Sequence, residues 1–213
     1  NLKTIGFSGT NLESIDRIEA SGFDIYPLHY DDKSINGNGA YMYKLYNTNT
    51  LPFTYDDIAK RYCFDCAKAD LVYQLENSSE RTIMFRFRKS IQDYGECLFE
   101  LEDTTGQTIL LKYDMIHNLA LYFNGELKRT FSITTNEWNT FGLAYRRVNS
   151  NTSQFIVYLN QAEWLVNLEH PEYTEMRAYI GRNSSLGDVC YSHIEMLAFA
   201  DSYKYYDEMI LMD

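Results

Sequence analysis

The sequence predicts an all-β fold, a jelly-roll β-sandwich of two antiparallel sheets with a few short peripheral helices, and three observations carry that prediction. Apolar and polar residues alternate with period two through most of the chain after residue 80. Tight-turn signals such as Asn124-Gly125 separate the alternating runs. The runs also recur at short intervals with little helical patterning between them, as in a sandwich or barrel.

From the N-terminus, Leu12, Ile15 and Ile18 lie on one side of a helix predicted over 10–21, which Gly22 would end. Residues 22–50 carry little pattern beyond the Asn36-Gly37-Asn38-Gly39 loop and a strand over 40–45. Thr54 and Asp57 are spaced as a capping box and predict a short helix over 54–62. Ile83, Phe85 and Phe87 then alternate with Met84, Arg86 and Arg88 in a strand with one apolar and one polar face. The next run sets Cys97, Phe99 and Leu101 against Glu96, Glu100 and Glu102. The two read as antiparallel neighbours, their Arg and Glu faces adjoining.

Further strands follow over 109–113, 119–123, 128–133, 139–146, 155–159, 164–168, 177–180 and 193–199, and a helical tail over 202–212. Ile83, Phe85, Phe87, Phe99, Leu101, Phe141 and Leu143 are the expected core, with Trp138 beside them.

Composition narrows the function. At 213 residues, 45% hydrophobic and 23% charged, the chain can bury a substantial core, and it reads as a single domain over 1–213. A net charge of −11 repels phosphate backbones and anionic headgroups, so nucleic acid is a poor partner. No apolar run approaches membrane-helix length, and the first twenty residues lack signal-peptide zones. A start at Asn1 reads as a processed protein or an excised domain, which fits a secreted or cell-surface location. Sequons at Asn77, Asn151 and Asn183 carry little weight, because Asn, Ser and Thr are abundant here.

The chemistry-bearing residues are sparse. Cys63-Phe64-Asp65-Cys66 has the spacing of one half of a zinc ribbon, but the second pair is missing: Cys97, Cys190 and the four histidines are scattered singly. The cysteines are therefore expected as disulfides or buried thiols. In a secreted protein the pairs would be Cys97 with Cys190 and Cys63 with Cys66. His117 and His193 read as ordinary polar side chains beside strands.

From about residue 81 the order of elements resembles the concanavalin A-like lectin/glucanase superfamily, in particular laminin G-like modules. The matching pieces are Ile83-Met84-Phe85-Arg86-Phe87-Arg88-Lys89, the Trp-initiated strand Trp138-Asn139-Thr140-Phe141-Gly142-Leu143-Ala144-Tyr145, Ile156-Val157-Tyr158-Leu159-Asn160, and Ile180-Gly181. Two departures stand out: Asn160-Gln161 replaces the usual Asn-Gly or Asp-Gly, and residues 1–80 exceed a minimal module as an N-terminal elaboration.

The resemblance implies a protein that binds glycans or proteins, or hydrolyses polysaccharides. The glucanase branch carries three carboxylates at alternating strand positions. Here the nearest run, Glu96 to Glu102, is interrupted by Leu98, so no enzyme activity is expected. Calcium is the one cofactor the resemblance admits, with loop acids such as Asp114, Asp188 and Asp201 more often solvated than ligating. The expectation is a non-catalytic extracellular or surface binding and adhesion module for a glycan or protein ligand. A self-associating structural subunit of an extracellular assembly or filament is the first alternative, and a polysaccharide hydrolase the second. Trp164, just after a turn, and Tyr158 are the expected ligand-binding residues.

Overall fold

The computed structural model describes short strand segments between residues 6 and 44 by their backbone. It also describes residues 53–210, apart from 69–70, 76–77, 90–94, 116, 170–175 and 186–189. Within that span 53, 61–62, 71–74, 115 and 210 are described by backbone alone.

Six short strands come first: β1 (Gly6–Phe7), β2 (Asn11–Leu12), β3 (Ile18–Ala20), β4 (Phe23–Pro27), β5 (His29–Tyr30) and β6 (Tyr43–Lys44). A hairpin of β7 (Phe53–Asp56) and β8 (Arg61–Asp65) and then β9 (Leu71–Leu75) lead into the body. The body comprises β10 (Glu80–Lys89), β11 (Cys97–Asp103), β12 (Thr108–Met115), β13 (Asn118–Phe123), β14 (Glu126–Ser132), β15 (Asn139–Asn149), β16 (Thr152–Leu159), β17 (Ala162–Glu169), β18 (Met176–Ile180) and β19 (Ser192–Ala200). A single turn-and-a-half helix, α1 (Tyr206–Ile210), follows.

Two antiparallel sheets pack as a sandwich. One runs β1-β9-β18-β11-β12-β13-β14; the larger runs β17-β16-β15-β10-β19-β4-β3, with β5, β7 and β8 joined through β8 to β19. Asn124 and Gly125 both take positive φ (49° and 79°), the geometry a type I′ hairpin needs. At the second hairpin Asn160 supplies the positive φ, at 54°. All seven expected core residues fall in one buried cluster between the sheets. Phe99 from the smaller sheet inserts against Phe85 and Phe141 of the larger, with ring centroids 5.7 and 5.8 Å away. Each such buried side chain contributes roughly 1.5–3 kcal/mol.

Four expectations are corrected. Residues 54–62 form a strand, a turn and a strand, because the capping signal serves the turn: Asp56, not Asp57, accepts the Ile58 and Ala59 amides. Within 10–21 the described residues are strands β2 and β3. The strand starting at Ile83 and the one starting at Cys97 are not neighbours. β10 pairs with β15 and β19, and β11 with β12 and β18, so they lie in opposite sheets. Trp138 is half-buried and stands outside the core, sharing strand parity with Thr140, which lies opposite Arg86.

The outer face of the larger sheet carries a second apolar cluster. Met84, Ala144, Ile156, Tyr158 and Ala198 are covered by Tyr203 and Met209, with Tyr206 packed against them. Gly142 makes this seat possible: a Cβ there would come 3.1 Å from Met209 Sδ and 3.3 Å from Met84 Cγ.

Candidate functional site

The same outer face turns polar further along the same strands. Parity on β10 places Met84, Arg86 and Arg88 on one side. Arg88 lies opposite His193 on β19, and His193 opposite Asp65 on β8. A β-bulge between Arg86 and Phe87 sets Met196 opposite Arg86 and Ile194 opposite Phe87. The extra residue is Glu195, whose carboxylate meets the Arg86 guanidinium at 3.1 Å. A bulge is a common means of re-aiming one side chain out of a ladder.

Asp56 is the fixed centre of this region. Wholly buried, its Oδ2 accepts from Arg88 Nε and from His193 Nδ1, each at 2.6 Å, and its Oδ1 accepts the Ile58 and Ala59 amides at 2.9 Å. Burial alone would push the carboxyl up. The Ala59 amide, then His193 and Arg88, outweigh it and hold the group below the usual carboxylate range. An ionised carboxylate only accepts, so His193 donates through Nδ1, and in the neutral ring Nε2 is left as an acceptor. Nε2 has no hydrogen-bond partner among the described residues.

The accessible members are Arg86, with 37% of its side chain exposed, and half-buried Trp138. The Arg86 guanidinium lies 6.0 Å from the Trp138 ring centroid. Arg86 Nε and Trp138 Nε1 are both buried donors without an acceptor among the described residues. Leaving such groups unpaired costs about 1–3 kcal/mol each. These residues make the notch, a small polar patch on the outer sheet face: the Arg86 guanidinium and the Trp138 ring in front, a fixed carboxylate and a histidine of set tautomer behind.

On the core side of the same strands, Lys89 Nζ sits 3.9 Å from the Tyr113 ring centroid and Tyr113 Oη bonds Ser192 Oγ at 2.8 Å. Burial pushes the Tyr113 phenol well up, helped by nearby Cys190, Cys66 and Glu96 and opposed by the Ser192 bond. This knot is sealed from solvent and offers a ligand no access.

The residues singled out from the sequence are dispersed. Tyr158 is fully buried beneath Tyr206, with ring centroids 5.4 Å apart. Trp164 is half-buried on β17, packed against the main core and edge-on to Phe131. All four cysteines are buried thiols, so the expected bridges are absent. His117 hydrogen-bonds Thr135, Asp114 is exposed, Asp201 pairs with Arg81 at 2.8 Å, and Asp188 lies outside the described residues. Among the described residues no group of three or more His, Cys, Asp or Glu could hold a metal ion. The notch itself was not legible in the sequence, since its partners are far apart: Asp56 and His193 are 137 residues apart, Arg86 and Glu195 109.

No protein-family model matches the sequence, and no curated protein matches it. Solved structures do match in fold. Domain 4 of AbnA, a GH43 extracellular arabinanase from Geobacillus stearothermophilus in complex with arabinotriose, superposes with a TM-score of 0.57 at 14% identity, over 78% of this chain and 82% of that one. Trypanosoma rangeli sialidase in complex with the inhibitor DANA gives 0.56 at 10% identity, over 89% of this chain and 29% of that one. The chain therefore spans less than a third of the sialidase's length. At these identities the likeness is one of architecture: the chain has a β-sandwich fold shared with domains of carbohydrate-active proteins and compatible with a jelly-roll lectin-like fold.

Proposed function

We propose that this chain is a non-catalytic carbohydrate-recognition module, with Arg86 and Trp138 as the residues that meet the sugar. One observation carries the reading: the accessible Arg86 guanidinium lies 6.0 Å from the centre of the half-buried Trp138 ring, cationic donors beside an aromatic face. Sugar hydroxyl and ring oxygens are neutral acceptors that such donors suit, and an indole face suits the apolar C–H side of a sugar ring. Glu195 and His193, both buried, act from behind: Glu195 pairs with Arg86, and His193 bonds Asp56. Opposite charges in the notch are paired, Arg86 with Glu195 and Arg88 with Asp56, which favours an uncharged ligand.

Two arguments support binding over hydrolysis. Asp56 is held ionised by four bonding groups and has no role left as an acid, and Glu195 is tied to Arg86. The arabinotriose complex of the arabinanase domain and the laminin G-like order of elements support a glycan-binding, adhesive role at a surface or outside the cell.

Isothermal titration with a panel of neutral oligosaccharides tests the proposal. Arg86→Ala and Trp138→Ala should each weaken binding at least tenfold while leaving the fold intact. Unchanged affinity in both variants would overturn the assignment, and turnover of any bound glycan would overturn the non-catalytic reading.

A further inference from the structure

At the other end of the sandwich, among the described residues, both sheets stop on one side without a covering strand, β14 ending one and β17 the other. This end is remote from the notch: Thr152 pairs with both Asn149 and Glu169, while Trp138 precedes Asn139 at the opposite end of β15. A cleft of about 400 Å³ opens there between Phe123, Asn124, Glu126 and Lys128 on one side and Asn167, Leu168 and Glu169 on the other. Its volume falls within the range of about 300–1,000 Å³ typical of small-ligand sites.

The geometry points to a second saccharide-binding site in this cleft, independent of the notch and taking a hydroxyl-rich ligand without negative charge; it rests on the glycan reading above. The floor is apolar and rigid. Phe123 is nearly buried and lies edge-on to Phe155 with centroids 4.9 Å apart, and Leu168 packs against the core. Asn124 is anchored to Thr108 by two bonds, from its own amide at 2.9 Å and to its Oδ1 at 2.8 Å, which leaves its side-chain nitrogen as a donor. The side chains of Asn167 and Glu169 have no partner among the described residues.

Edge strands add outward N–H and C=O groups of their own. Glu126 is neutralised by Lys128 at 2.7 Å, so Glu169 leaves the cleft one negative charge, which repels acidic sugars. A simple cation would satisfy Glu169 and leave both amides and the apolar floor unused. A neutral saccharide uses all of them.

Backbone-amide NMR titrations with arabinotriose, cellotriose and trigalacturonate, on wild type, Arg86→Ala and Asn167→Ala, separate the possibilities. A neutral trisaccharide should shift the amides of Asn124, Asn167 and Glu169 equally in wild type and Arg86→Ala, at least tenfold more weakly in Asn167→Ala, and trigalacturonate should not shift them. Cleft residues that ignore both neutral sugars, or that respond best to trigalacturonate, would overturn this site. Shifts confined to the cleft, with none at Trp138, would instead overturn the notch.

Discussion

One face of the larger sheet holds two environments built on the same strands. Over Met84, Ala144, Ile156, Tyr158 and Ala198 the side chains are apolar, and the chain supplies its own cover from α1 and Tyr203. Two to five residues along, the outward positions are Arg86, Arg88, Thr140 and, past the bulge, His193, and charge replaces apolar area. The first half gains stability by excluding water. The second holds its charges through pairing and leaves Arg86 and Trp138 accessible. Covering a sheet face and equipping it for recognition are therefore separate tasks, assigned by which residues occupy the outward positions of β10, β15 and β19.

The comparison breaks most visibly in the sealed half. Tyr158→Ala removes a wholly buried ring and should cost about 3–5 kcal/mol, lowering the thermal midpoint by roughly 10 °C. Calorimetry beside oligosaccharide titration checks this: affinity at the notch should not change. A wild-type midpoint would show that α1 does not cover this face.

Asp56→Asn comes next, at about 2–3 kcal/mol, because it weakens bonds from two charged or polar side chains and strands Arg88 without its counter-ion. Its pH dependence has a definite sign. The folded carboxyl ionises below its ordinary value, so its stabilisation is complete above about pH 4 and is lost as pH falls further. Chemical denaturation as a function of pH should give a steeper acid limb for wild type than for Asp56→Asn; parallel limbs would remove Asp56 as the electrostatic centre.

Trp164→Ala should cost about 2 kcal/mol, since the ring is only half-buried beside Phe131. The smallest stability effect belongs to Arg86→Ala, under about 1 kcal/mol, because its ion pair is partly solvated. That variant should nonetheless show the largest loss of sugar binding. A Trp164→Ala protein that loses binding while Arg86→Ala keeps it would move the site to β17.

The hairpin at 54–62 shows how local signals can be right in chemistry and wrong in structure. The acidic residue does accept the amides of the next turn, as a helix cap would, but the turn joins two strands that pair across it, Tyr55 with Tyr62 and Asp56 with Arg61. Pairing with β19 then commits β8 to the sheet, a tertiary contact that overrides the cap.

The β10 and β11 strands teach a related point. Alternation identified the inward residues Phe85 and Phe99 correctly, because period two follows from strand geometry alone. It carried no information on which sheet each strand joins, so Arg86 and Arg88 found Glu195 and Asp56 instead of the acidic residues of β11.

The sequence by itself determined the strands from β10 onward, the Asn124-Gly125 hairpin and the inward-facing core, since each depends on residues within one run of the chain. Only the tertiary structure decided that Tyr158 lies under a helix, that the cysteines remain thiols, and that Asp56, Arg88 and His193 converge on one oxygen. Those outcomes depend on strand order, a bulge and contacts between residues more than thirty positions apart, which no local periodicity encodes.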